Sequence, residues 1–143
     1  MNFKETIVAA INSEIKEREM SITILSQKTG ITAVNLYRII RGENFSMLNL
    51  SKIIRVLDLR FSLTTRDYLE LIFDKEHLIS TYKIAEIAFG VCKEMDNLTA
   101  KEIARRAEIT EPTLSKLLSY KNVTIDVMSR LLEVLKVTTT NAK

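Results

Sequence analysis

"GITAVNLYRIIRGEN" (residues 30–44) sets two isolated glycines around a short helix-like run that ends in Arg-Gly. Between the glycines, apolar Ile31, Leu36, Ile39 and Ile40 alternate with small or polar Thr32, Asn35, Tyr37 and Arg38. Such a run is either a capped core helix or a helix built to be pressed against another molecule.

The rest of the chain favours the second reading, because it builds the run twice. With an offset of 78 residues, "SITILSQKTGITAVNLYRIIRGENFSMLNLSKIIRVLDL" (21–59) lies on "TAKEIARRAEITEPTLSKLLSYKNVTIDVMSRLLEVLKV" (99–137) without a gap. Ile31/Ile109, Thr32/Thr110, Leu36/Leu114, Asn44/Asn122, Val56/Val134 and Leu57/Leu135 are identical pairs, and Ser21/Thr99, Arg38/Lys116 and Ser46/Thr124 are similar ones. Two unrelated helical segments would share apolar phase; sharing caps and cations as well marks an internal repeat.

Both copies parse alike. Ser21 and Thr99 stand where a helix N-cap is expected, and Thr99 with Glu102 forms a capping-box pattern. A tight turn follows at Lys28-Thr29-Gly30 or Arg106-Ala107-Glu108, and Thr32 or Thr110 then caps the next helix. Pro112 falls in that helix's first turn, where its missing N–H costs nothing. Ser46 and Thr124 cap a further helix that is apolar on one face. Two helices joined by a turn of about three residues and flanked by packing helices make the helix-turn-helix plan.

Elsewhere the apolar residues also recur at helical spacing, as at Ile7, Ala10, Ile11 and Ile15. Strand-like alternation is hard to find; its best case is "RFSLTTRDYLELIF" (60–73). The expected fold is therefore all-α. The layout is an N-terminal domain over 1–60, a connector over 61–80 and a C-terminal domain over 81–143. Phe61, Leu63, Tyr68, Leu69 and Phe73 make the connector too apolar to leave in water. It is expected to pack the copies together as a helix, or to serve a homodimer contact as a strand.

Residues 3–59 resemble the Cro/C1-type helix-turn-helix family of phage repressors and bacterial regulators, through "LSQKTGITAVNLYRIIRGEN". Residues 79–137 resemble a diverged second copy, through "IARRAEITEPTLSKLLSYKN". The resemblance implies two tandem lambda-repressor-like domains of five helices each, whose motif helices 33–41 and 111–119 enter the major groove of double-stranded DNA. In copy one it carries over to Thr32, Ala33, Val34, Asn35 and Arg38, with Tyr37, Arg41 and Asn44 nearby. Arg38 is the favoured base reader, because a guanidinium can grip a guanine edge with two hydrogen bonds. Ala33 or Val34 would touch a thymine methyl; Thr32, Asn35, Tyr37, Arg41 and Asn44 suit phosphates. In copy two the set is Thr110, Glu111, Thr113, Ser115 and Lys116, with Tyr120, Lys121 and Asn122 toward the backbone.

The chain departs from the family at several positions. Ile22 replaces a polar phosphate-contacting residue, and Ile15 and Ile40 stand where some repressors place an arginine–glutamate pair. Copy two has Glu108 and Tyr120 at the two glycine positions, so either the backbone there is strained or the turn differs. Glu111 at the reading end repels phosphate, though it can accept from a cytosine amino group.

Charge agrees with a nucleic-acid partner without demonstrating one. The net charge is +3, and residues 28–60 hold six cations against two anions while 101–121 hold five against three. No enzyme is expected: there is no histidine or cysteine pair for a metal, and the three glycines are too dispersed for a phosphate-cradling loop. No cofactor is implied. The lone Cys92 and the absence of an apolar run of membrane-spanning length point to a cytoplasmic protein with no membrane partner.

The functional expectation is a DNA-binding transcriptional regulator, a repressor of the phage or mobile-element kind. Its rival is a protein-interaction factor on the same fold, an antitoxin or an inhibitor of a host or immune enzyme. One chain with two reading helices could hold a two-fold site alone; a homodimer would present four.

Overall fold

The computed structural model describes all 143 residues. Eight helices and three short strands follow one another as two similar runs. The first run is α1 (Phe3–Glu17), α2 (Ile22–Thr29), α3 (Ala33–Ile40) and α4 (Met47–Leu57), followed by the hairpin strands β1 (Phe61–Thr64) and β2 (Glu70–Phe73). The second is α5 (Ser80–Asp96), α6 (Ala100–Arg106), α7 (Glu111–Leu118) and α8 (Ile125–Val134), followed by β3 (Thr138–Asn141).

Local chemistry sets the boundaries. Ser21, Thr32, Ser46, Thr99, Thr110 and Thr124 are all N-caps whose side chains accept a backbone N–H in the first turn. Each satisfies one of the donors that a helix start leaves free. The ends are set by left-handed residues. Glu19, Gly30, Gly42 and Asp58 have φ of 51°, 76°, 84° and 52°, and Asn97, Glu108, Tyr120 and Lys136 have 53°, 55°, 62° and 61°. The second set lies 78 residues beyond the first at every position, so the repeat extends to backbone conformation. Glu108 and Tyr120 keep the glycine geometry of copy one and accept the strain, which costs a residue with a Cβ about 1–2 kcal/mol.

The fold is not strictly all-α. Residues expected to link the copies as a helix or a dimer strand form a hairpin inside the molecule. Phe61 and Leu63 alternate inward from β1, and Phe73 does so from β2. Aromatic packing of Phe73 on Phe61 (6.2 Å) and on Phe3 of α1 (6.3 Å) seats the hairpin on the core. β1 also pairs antiparallel with β3, giving a sheet of order β2-β1-β3. Each run therefore has four helices and then a strand, where five helices were expected. β3 reads "TTTN", with no apolar alternation to announce it; its partner β1, far away in sequence, makes it a strand.

The two runs share one core. Thirty-four buried apolar residues form a single cluster from Phe3 to Leu135, against which Ile15, Ile22 and Ile40 also pack. Ile15 and Ile40 thus fill the place of an ion pair with apolar contact, a replacement that costs little when the volume is matched.

The repeats meet about an internal two-fold axis. Ser46 pairs with Thr124 in an isolated antiparallel bridge. Around it, Met47 N–H donates to Val123 O (2.8 Å) and Ile125 N–H to Phe45 O (2.7 Å). Farther out, Leu48 N–H donates to Asn122 Oδ1 (3.0 Å) and Asp126 N–H to Asn44 Oδ1 (3.1 Å). Every contact is matched by its partner 78 residues away. The β1–β3 register obeys the same symmetry, because Ser62 faces its own equivalent, Thr140.

Candidate nucleic-acid interface

Copy one holds its two motif helices at a fixed angle with side chains from the turn. Gly30 N–H donates to Ser26 O (2.9 Å), Ser26 Oγ donates to Ile31 O (2.5 Å), and Ile31 N–H donates to Thr29 Oγ1 (3.2 Å). Thr29 Oγ1 in turn donates to Leu25 O (2.7 Å). Ser26 and Thr29 are thus turn residues with a positioning role, and reading the motif for base contacts alone misses them. Their equivalents are Ala104 and Ala107. In copy two the turn is closed by backbone only, through Ile109 N–H to Ala104 O (3.0 Å) and Glu108 N–H to Arg105 O (3.1 Å).

On α3, Leu36 and Ile39 are buried, which turns the opposite face outward. Thr32, Val34, Asn35, Tyr37, Arg38 and Arg41 are exposed there and Ala33 is half-buried. Val34 (62% exposed) and Tyr37 (49%) remain open to solvent, as a surface that meets base edges and sugars would require. Arg38 has no ion-pair partner. Arg41 forks onto Glu43 through Nε (3.0 Å) and a terminal nitrogen (2.8 Å). An exposed pair of this kind is weak enough for a phosphate to displace. Asn44 is exposed but gives its oxygen to Asp126 N–H across the two-fold axis, so its first role is to join the units.

On α7, Leu114 and Leu117 are buried while Thr110, Glu111, Ser115, Lys116 and Lys121 are exposed and Thr113 is half-buried. Thr110 Oγ1 both accepts Thr113 N–H (3.2 Å) and donates to Thr113 Oγ1 (2.8 Å). Tyr120, expected toward the backbone of bound DNA, is exposed at the end of α7. Its ring packs on Tyr82 of α5 at 5.8 Å, and the neighbouring Glu86 carboxylate pushes its pKa up to about 12.

The cations of the two copies differ more than their count suggests. Lys28, Arg38, Lys52 and Arg55 carry no ion pair in copy one. In copy two, Arg105 and Arg106 both hold Glu102, at 2.6 Å and 3.2 Å, and together they pull its carboxyl down to about 2. Lys101, Lys116 and Lys121 remain unpaired. No group of three or more His, Cys, Asp or Glu side chains is placed to hold a metal ion, and no helix is long and apolar enough to cross a membrane.

Comparison with known families agrees with this geometry. Residues 10–62 match the Cro/C1-type HTH DNA-binding domain, and residues 93–140 match a family described as helix-turn-helix. No curated protein and no solved structure matches the chain. The matched segments each contain one complete pair of motif helices, α2–α3 and α6–α7. The chain is a tandem of two helix-turn-helix domains, the first of them of the Cro/C1 type.

Proposed function

We propose that the chain is a sequence-specific regulator of transcription, a repressor of the phage or mobile-element kind. One molecule would read a pseudo-palindromic DNA site with α3 and α7. The carrying observation is the set of reciprocal contacts around Ser46 and Thr124, which relate the two motifs by a two-fold axis within one chain. Repressors of this architecture ordinarily match the two-fold symmetry of their operators, with half-sites about 34–36 Å apart. Arg38 is the base reader in this proposal, with Lys116 as its counterpart. Thr32, Asn35, Tyr37, Arg41 and Lys121 hold phosphates. A rigid block seated over a promoter excludes other proteins sterically, which is the basis for assigning repression.

A second reading draws on copy two. Glu111 at the start of α7 and the internal neutralisation of Arg105 and Arg106 weaken its attraction for phosphate, which suits a surface that meets protein. Analytical ultracentrifugation with DNA from upstream of the chain's own gene separates the two. One chain per duplex, with affinity falling steeply as salt rises, supports the proposal. Absence of sequence preference at low salt, or two chains per site, overturns it.

A further inference from the structure

Two clefts lie at related places about the two-fold axis, and two of their equivalent positions carry opposite charges. One, of about 730 Å³, lies between the end of α4, the hairpin and the start of α5; Arg55, Arg60, Ile79, Ser80 and Lys83 line it. Moved by 78 residues these become Glu133, Thr138, Met1, Asn2 and Glu5, all of which line a second cleft of about 500 Å³ between α8 and the start of α1. Arg55 is thus exchanged for Glu133 and Lys83 for Glu5. The cations are not demanded by the fold, since the same position elsewhere in the molecule carries carboxylates.

The two helix starts differ in the same sense. At α1, Asn2 Oδ1 accepts Glu5 N–H (2.9 Å), Glu5 Oε1 accepts Asn2 N–H (3.1 Å), and Ser129 Oγ accepts Lys4 N–H (3.1 Å). The helix's positive end therefore already has a carboxylate. At α5 the N-cap is Ile79, which offers no side-chain acceptor, and the N–H groups of Thr81 and Tyr82 have no partner. A 17-residue helix is left with its donors free beside Arg55, Arg60 and Lys83, none of which is ion-paired. Lys75 pairs with Asp58, and Glu70 and Glu76 also line the cleft, so the cations remain in excess.

We propose that this cleft binds a small organic anion. Its carboxylate or phosphate would sit at the start of α5 between Arg55 and Lys83, in the place that Glu5 fills for α1. Its apolar body would lie against Leu71, Ile72 and Ile79, which line the same cleft. The volume lies within the range of small-molecule sites.

The test uses the full chain and anilinonaphthalene sulfonate, a fluorescent anion with an apolar body, with inorganic pyrophosphate as competitor. One saturable site is expected, from which pyrophosphate displaces the dye. K83E and R55E each weaken it at least tenfold, and K16E, on the far end of α1, leaves it unchanged. All three positions are exposed charges, and a melting curve on each variant verifies folding. In 15N spectra the amides of Thr81 and Tyr82 shift with pyrophosphate. Equal dye binding by wild type and K83E, failure of pyrophosphate to compete, or Thr81 and Tyr82 shifts that appear only with duplex DNA would overturn the proposal.

Discussion

The two helix-turn-helix units share a backbone and differ in how they hold it. Copy one closes its turn with Gly30 and the hydroxyls of Ser26 and Thr29. Copy two reaches the same angles with Glu108, Ala104 and Ala107, using backbone bonds alone. Copy one presents an unpaired Arg38 among free cations, while copy two spends Arg105 and Arg106 on Glu102. The lesson is that a fold can be kept by packing and capping after the residues best suited to its turn and to its ligand have gone.

Truncating the equivalent core residues gives the largest test of this comparison. Leu36 and Leu114 are 1% and 2% exposed, so L36A and L114A should each cost about 2–5 kcal/mol. Because the core is continuous, both should shift one shared unfolding transition in calorimetry. Two separated transitions would mean that the units fold independently.

The paired cations come next. R38A should lose about 1–3 kcal/mol on a specific duplex while changing little on random DNA. K116A should cost less, again chiefly on the specific duplex. Fluorescence anisotropy on the two duplexes reads the difference, and equal effects would erase the distinction between the copies.

Exchanging the turn residues tests the strain directly. G30A should destabilise by about 1–2 kcal/mol, because alanine meets the left-handed penalty at φ 76° with no atom within 4 Å to compensate. E108G, at φ 55° and exposed, should raise stability by up to about 1 kcal/mol. Urea midpoints at constant slope would record both, and a stabilising G30A or a destabilising E108G would refute the shared geometry.

The smallest effect concerns acid. Glu14 and Cys92 occupy equivalent positions, and so do Arg18 and Asp96. Glu14 is held below its ordinary value chiefly by the Lys143 ammonium, with Arg18 adding to it and burial opposing. Asp96 is lowered chiefly by Arg66 from the hairpin turn, at 2.6 Å. Both folded pKa values lie below the unfolded ones, so each contribution is present above the ordinary carboxylate range and fades as pH falls through the lowered value. E14Q and D96N should therefore destabilise at pH 7 and approach wild type near pH 3, as melting curves at the two pH values would show.

Much of this architecture was legible in residue types. The offset of 78, six N-caps and the two motif helices follow from Ser21, Thr32, Ser46 and their partners. The hairpin was legible only as an ambiguous strand-like segment over 60–73, with a brief alternation at Phe61 and Leu63, and β3 was not legible because it has no apolar residue. Their pairing joins segments 77 residues apart between Phe61 and Thr138. The tie of Tyr120 to α5 was equally hidden. It depends on Glu86 and Tyr82, which no spacing rule links to a loop after α7.

The bridge between Ser46 and Thr124 has a consequence for dilution. A two-fold pair made from separate molecules dissolves when protein is scarce, and its occupancy of a site climbs with the square of concentration. Here both halves arrive on one chain, so their relative geometry survives at any concentration and a response to abundance would be linear. The halves are also encoded separately, so each is free to change without imposing the same change on the other.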